Sequence, residues 1–137
     1  MKQLETQECL QRKLTILEKI EAKTETQSRF IAKRDMRGLK RILRERAALL
    51  TELAEINQQL ELDSKDKSAE LNSLVKTIAA KAQQVLQRSE QVLQQAKLER
   101  EKIGNELKSI RNKRRLMKQY LGKWQLCLRG KRFSAKG

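Results

Sequence analysis

With 137 residues and a net charge of +15, the chain fits one domain or one elongated helical unit better than several domains. Aromatic residues make up 3% of it and proline is absent, which disfavours sheets built from aromatic strands and proline-glycine turns. Apolar runs such as Ala47-Ala48-Leu49-Leu50 fall far short of the roughly 18 residues that a membrane span needs. We therefore predict an all-α protein without a membrane span.

The first two helices are predicted at residues 3–33 and 36–62. In the first, apolar residues recur at spacings of three and four and form a broad stripe of Cys9, Leu10, Leu14, Ile16, Leu17 and Ile20. The segment KRDMRGL interrupts this pattern, because Asp35 can cap a helix and Gly38 weakens one by about 1 kcal/mol. The second helix resumes the spacing with Leu39, Ile42, Leu43, Leu49, Leu50, Leu53, Ile56 and Leu60.

The third helix is predicted at residues 68–121, after a polar segment in which Asp63, Ser64 and Asp66 offer helix caps and the chain should reverse. Its apolar positions alternate steps of four and three, which is typical of a coiled-coil seam. They are Leu71, Val75, Ile78, Ala82, Val85, Ser89, Val92, Ala96, Glu99 and Ile103, followed after one change of phase by Leu107, Ile110, Met117 and Leu121.

Burial of these stripes decides the predicted architecture. A buried leucine or valine contributes roughly 1.5–3 kcal/mol, whereas a surface ion pair contributes a few tenths. We therefore expect a mostly antiparallel helical hairpin or three-to-four-helix bundle over residues 1–121, with coiled-coil-like packing and one long third helix. Residues 122–137 are predicted to form a basic, partly flexible C-terminal tail.

Signs of catalysis are few in this sequence. There is no histidine and no glycine-rich phosphate loop, and Glu99 and Glu101 lie two apart on a helix and so face different directions. Cys9 and Cys127 stand alone at opposite ends. We predict that the protein is not an enzyme and uses no metal or other cofactor. The start, MKQLETQE, lacks the apolar core of a secretion signal, which favours the cytoplasm.

The positive charge is concentrated at the C-terminal end. Residues 108–137 hold eleven lysines and arginines and no aspartate or glutamate, which leaves +4 for the first 107 residues. Such a cluster attracts nucleic acid or acidic lipid, or complements the negative end of a helix dipole. Interleaved apolar residues and the lack of a nucleic-acid motif argue against nucleic acid. The basic residues of interest are Arg111, Lys113, Arg114, Arg115, Lys118, Lys131 and Arg132.

Apolar residues of the same region continue the stripe of the third helix beyond the predicted reach of the other two. We predict that the amphipathic helix of a partner docks on them. The alternatives are that they cap the core of the bundle, that the tail folds back over them, or that a second copy of the chain covers them in a homodimer. The predicted partner-binding residues are Leu107, Ile110, Met117, Tyr120, Leu121 and Trp124.

The order of these segments resembles the flagellar type III export chaperones of the FliT and FlgN kind, over nearly the whole chain. The second helix of that group begins with an arginine-aspartate pair and continues with spaced leucines and a charged pair. The last helix is long and carries a tyrosine near its end, before a Gly-x-x-Phe. The matching residues are Arg34, Asp35, Leu39, Leu43, Glu45, Arg46, Leu49, Leu50, Tyr120, Gly130 and Phe133.

The resemblance implies a small cytoplasmic chaperone that binds the C-terminal helix of a late flagellar export substrate, keeps it unassembled and delivers it to the export apparatus. The substrate is the filament cap protein for the FliT kind and a hook–filament junction protein for the FlgN kind. Many such chaperones are acidic or near neutral, so the charge of +15 leaves alternatives open. These are a basic coiled-coil component of the export ATPase complex, a nucleic-acid-binding coiled coil and a structural homo-oligomeric rod.

Overall fold

The computed structural model confirms the all-α fold. It describes the backbone at residues 2–62 and 69–136, and the side-chain surroundings at residues 5–61 and 71–127. Three helices follow one another: α1 (Lys2–Lys33), α2 (Met36–Leu62) and α3 (Ala69–Lys136). Within the described backbone, every residue except Arg34 and Asp35 is helical. The predicted caps at Asp63, Ser64 and Asp66 lie outside the described residues.

The turn between α1 and α2 is closed by backbone hydrogen bonds. Asp35 N–H donates to Phe30 O at 2.9 Å and Arg34 N–H donates to Ile31 O at 3.1 Å, which is the pattern of a Schellman helix end. Arg34 accordingly has a positive φ of 57°. The predicted cap is confirmed, because Gly38 N–H donates to Asp35 Oδ1 at 3.0 Å. One residue pair therefore ends α1 and starts α2.

The positive φ of Arg34 makes a prediction about stability. A left-handed conformation strains any residue that has a Cβ, and glycine avoids that strain. We expect Arg34→Gly to be more stable than Arg34→Ala by about 1 kcal/mol, measured as the free energy of unfolding in urea. The same comparison at Ala54, an exposed residue inside α2, should reverse its sign, with Ala54→Gly less stable by about 1 kcal/mol. Equal stability of the two Arg34 variants would contradict this account of the turn.

Gly38 has a role in packing that its helix propensity did not reveal. It is buried, and a Cβ at this position would lie 2.6 to 2.8 Å from three ring atoms of Phe30. Contacts that short do not occur between real side chains, so glycine allows the ring of Phe30 on α1 to lie directly against the backbone of α2. The same residue that weakens helix locally thus brings α1 and α2 close together next to their turn.

Contacts between side chains fix the directions of the three helices. Lys23 on α1 pairs with Glu45 on α2 at 2.8 Å, and the Sγ of Cys9 lies 3.8 Å from Gln59, so α1 and α2 are antiparallel. Glu25 on α1 accepts from Arg88 on α3 at 3.0 Å, and Glu21 pairs with Lys81. Because the residue numbers rise together in these last two pairs, α1 and this part of α3 are parallel.

The core of the bundle lies between the three helices. One buried cluster joins α1 to the start of α3 and contains Leu10, Leu17, Leu71 and Ile78. A second joins all three helices and contains Ile16, Ile20, Ile56 and Val85. These residues come from the predicted stripes, which confirms helix-on-helix burial as the basis of the fold. Among the side chains that the structure describes, Ile20 and Val92 are the most enclosed apolar ones, at 0% and 1% exposure.

A polar layer crosses this core and contains one residue from each helix. Arg46 on α2 donates from Nε to Thr24 Oγ1 at 3.1 Å and from Nη2 to Ser89 Oγ at 2.7 Å. Thr24, which is 1% exposed, donates to Ile20 O at 2.7 Å. Burial lowers the pKa of the Arg46 guanidinium. Since shifting any helix along its axis would break these bonds at a desolvated charge, the layer fixes the register of the bundle.

Three stripe residues predicted to be buried are instead exposed to a large extent. Leu43 and Leu50 on α2 are 42% and 41% exposed, and Val75 on α3 is 47% exposed. Leu43 and Leu50 follow Ile42 and Leu49 by one residue, a rotation of about 100° around the helix. That rotation moves them from the centre of the apolar stripe to its edge, which α1 does not cover. In α3, Val75 is predicted to lie in the buried stripe, but the half-buried Leu74 packs against the core instead.

The chain divides into two compact units, of which the first ends at Lys97 and the second begins at Leu98. We call them the proximal bundle and the distal segment. The proximal bundle contains α1, α2 and the first part of α3, and the distal segment contains the remainder of α3. The helix continues to Lys136, beyond its predicted end at residue 121 and into the predicted tail at residues 122–137.

Candidate partner-binding surface

The six predicted partner-binding residues all lie on the distal segment and are all exposed. Their exposed fractions range from 47% to 66%, whereas the apolar seam of α3 inside the proximal bundle is 1% to 7% exposed at Leu71, Ile78, Val85 and Val92. The same helix therefore buries its seam in one half and presents apolar side chains to solvent in the other. The exposed set is Leu107, Ile110, Met117, Tyr120, Leu121 and Trp124.

Five of these six residues belong to one line along the helix. From Ile103 to Trp124 the positions step by four and three in strict alternation, which keeps them on one side of an α-helix. We call this line the distal seam; it consists of Ile103, Leu107, Ile110, Arg114, Met117, Leu121 and Trp124. Six of its seven side chains are apolar, so this surface has the residue pattern of one strand of a coiled coil.

A shallow groove follows the middle of the distal seam, and its lining surface is almost wholly apolar, so the basic residues among its lining contribute their aliphatic stems. It contains Ile110, Lys113, Arg114, Met117, Lys118 and Leu121. Lys113 borders the seam on one side, and Arg111 and Lys118 border it on the other. Arg115 is rotated by more than about 100° from the seam and faces away from it. The basic residues of this stretch therefore divide into those that a docked helix would meet and those that it would not.

Tyr120 and two leucines lie off the line. Tyr120 occupies the same flank as Lys113, one heptad further on, and is 66% exposed. Leu116 and Leu126 are similarly exposed, at 64% and 68%, but are rotated roughly 130–150° from the seam. They serve as internal controls for any test of the seam. Lys131 and Arg132 are within α3, but their side chains lie outside the described residues.

A second apolar surface lies on the proximal bundle between α2 and α3. The Arg46–Ser89 hydrogen bond places Leu43 level with Leu93 and Leu50 level with Leu86, because the two helices run antiparallel. Each of these four leucines is 41% to 55% exposed. On their helices they lie roughly 140–160° from Glu45 and Arg88, the residues that pair with α1, so they face away from it. This four-leucine patch is the place where a fourth helix could join the bundle.

The predicted partner-binding residues include the exposed apolar side chains, whereas Arg114 is predicted only as part of the basic cluster. Its position becomes visible when the alternation of four and three is continued through it, from Ile110 to Met117. The roles of Arg46 and of the four-leucine patch depend on how three helices meet, which periodicity along one helix does not report.

The described residues hold neither a metal-binding cluster nor a disulfide. Among them, no three histidine, cysteine, aspartate or glutamate side chains are grouped so that they could hold a metal ion. Cys9 is partly buried and Cys127 exposed, and both are free thiols. No helix in the described part of the chain is long and apolar enough to cross a membrane. Comparisons with protein-family models, with curated proteins and with solved structures find no match to this chain.

Proposed function

We propose that the protein is a cytoplasmic export chaperone of the bacterial flagellum, which holds an amphipathic helix of its client on the distal seam. The observation that supports this most is the exposure of five apolar seam residues, 47% to 61% each, on a helix whose proximal half buries the same kind of seam. An apolar surface of this extent on a soluble chain marks an interaction site. A helix in a groove, held at positions three and four apart, is the matching mode of recognition.

In this proposal the client is a late flagellar substrate, either the filament cap protein or a hook–filament junction protein. Its C-terminal helix covers the seam, which prevents premature assembly before delivery to the export apparatus. Affinity comes from the desolvated aliphatic and aromatic anchors Ile110, Met117, Leu121 and Trp124. The surrounding cations increase the rate of association with an acidic partner and make it depend on salt.

A capture experiment tests this function with the full chain. The immobilised protein is incubated with C-terminal helical fragments of the filament cap and junction proteins, and separately with random duplex DNA, between 50 and 500 mM salt. We expect one fragment to be bound with a dissociation constant in the micromolar range or below and to be retained at high salt, because apolar burial is not screened. DNA binding should disappear at high salt. Failure of every flagellar fragment to bind would overturn the proposal.

The basic end of the chain supports a second candidate function. Residues 108–137 carry eleven cations and no carboxylate, which is the electrostatic pattern of a phosphate-binding surface. In that case the protein is a nucleic-acid-binding coiled coil, and the same titration identifies it by tight DNA binding with a steep salt dependence and no flagellar capture. A structural role in the export ATPase complex would instead appear as capture of an ATPase component.

A further inference from the structure

Arg114 is the one charged residue of the distal seam, and its position determines what kind of helix can cover that seam. It lies between the apolar neighbours Ile110 and Met117 and lines the same groove with them. An arginine cannot lose its charge at neutral pH. A helix docked on the seam would cover the stem of Arg114 and partly remove its guanidinium from water, which is costly unless the partner supplies hydrogen-bond acceptors of opposite charge.

The residues that flank the seam also favour a partner helix that carries negative charge. In paired helices, residues that border the seam meet the bordering residues of the partner. On this chain those residues are basic at Arg111, Lys113 and Lys118, and Glu106 near the start of the seam is the one acidic residue among them. Two such segments paired in parallel and in register would place Lys113 next to Lys118 and the two Arg114 side chains against each other, which disfavours a second copy of this segment as the occupant.

We propose that the occupant of the distal seam is an acidic amphipathic helix of a different protein. It carries carboxylates on both flanks of its apolar stripe and one carboxylate within the stripe that pairs with Arg114. Arg114 acts as the residue that selects partner and register, since a bidentate pair forms at only one alignment of the two helices. This inference rests on the proposed function only in taking the distal seam as the partner site.

Two designed peptides test the proposal on the full chain. Both are about four heptads long with leucine along the stripe. The acidic peptide has glutamate on both flanks and one glutamate in the middle of the stripe, and the basic peptide has lysine at all those places. By isothermal titration at 100 mM salt we expect the acidic peptide to bind at least about 30-fold more tightly than the basic one. Equal binding would overturn the proposal.

A matched pair of charge reversals isolates the role of Arg114. Arg114→Glu and Arg115→Glu make the same change in net charge at adjacent exposed residues, but only Arg114 belongs to the seam. We expect Arg114→Glu to raise the dissociation constant of the acidic peptide at least about tenfold more than Arg115→Glu does. A third peptide is acidic on its flanks but has lysine in the stripe. The Arg114→Glu variant should bind this peptide with most of the affinity that it lost for the acidic peptide. Equal effects of the two substitutions would mean that only net charge matters and would overturn the role of Arg114.

The remaining outcomes are distinguishable from failure of the proposed function. Sedimentation of the free chain as a dimer that Arg114→Glu dissociates would make a second copy the occupant and overturn the inference. Tight binding of duplex DNA that Arg114→Glu and Arg115→Glu weaken equally would also overturn it. Capture of a flagellar client through a helix without acidic flanks would keep the proposed function and overturn the inference. Acidic-peptide binding with the Arg114 effect, but no flagellar capture, would support the inference and overturn the proposed function.

Discussion

Replacing Ile20 with alanine is expected to lower the free energy of unfolding of the proximal bundle by about 3 to 4 kcal/mol, within the range measured for buried Ile-to-Ala changes. Ile20 is fully enclosed and packs with Ile16, Ile56 and Val85, so each of the three helices borders the cavity that alanine would leave. Its carbonyl also accepts the hydrogen bond of Thr24. Urea unfolding followed by circular dichroism at 222 nm measures the loss.

Two comparison variants show whether the effect is one of core packing. Ile20→Val removes a single methyl group and should cost about 1 kcal/mol. Leu86→Ala removes an apolar side chain that is 54% exposed on the same bundle and should change stability by less than about 1 kcal/mol. A loss with Ile20→Ala no larger than the loss with Leu86→Ala would show that the three helices do not close around Ile20.

The sequence predicted the helical fold because its stripes are regular and its helices are interrupted at few places. The stripes identified the buried Leu10, Leu17, Ile56 and Val85 without any knowledge of neighbouring helices. The pattern did not report how wide a stripe the neighbours would cover. Leu43, Leu50 and Val75 lie at stripe edges and remain exposed, since a three-helix bundle leaves one side of α2 and α3 open.

The polar layer was beyond prediction for a different reason. Thr24, Arg46 and Ser89 are far apart in sequence and become partners only through the antiparallel and parallel pairings of the helices. In the sequence, Arg46 has the appearance of an ordinary surface cation. The candidate site was more accessible to prediction, because the distal seam is a property of a single helix. Only the significance of Arg114 required its seam position to be recognised.

The combined substitution Ile110→Ala/Leu121→Ala is expected to weaken client binding by about 3 to 4 kcal/mol, which corresponds to roughly 10²- to 10³-fold in the dissociation constant. Both residues line the groove of the distal seam and are about half exposed in the free chain. Alanine favours helix more than isoleucine or leucine does, so helix content should remain unchanged. Isothermal titration with the bound client fragment measures the loss, and circular dichroism verifies the helix. Tyr120→Ala should have a smaller effect, because Tyr120 is on the flank.

The matched control removes the same number of aliphatic side chains from the same helix. Leu116→Ala/Leu126→Ala changes two residues that are more exposed than Ile110 and Leu121 but lie off the seam, so we expect less than a threefold change in binding. If both double variants weaken binding equally, the helix binds the client through non-specific hydrophobic contacts and the seam is not the site. If neither double variant weakens binding, Leu86→Ala/Leu93→Ala tests the four-leucine patch. Weaker client binding by that variant would assign the client site to the proximal bundle. The seam assignment therefore requires a large loss with the first double variant, together with retained binding in the other two.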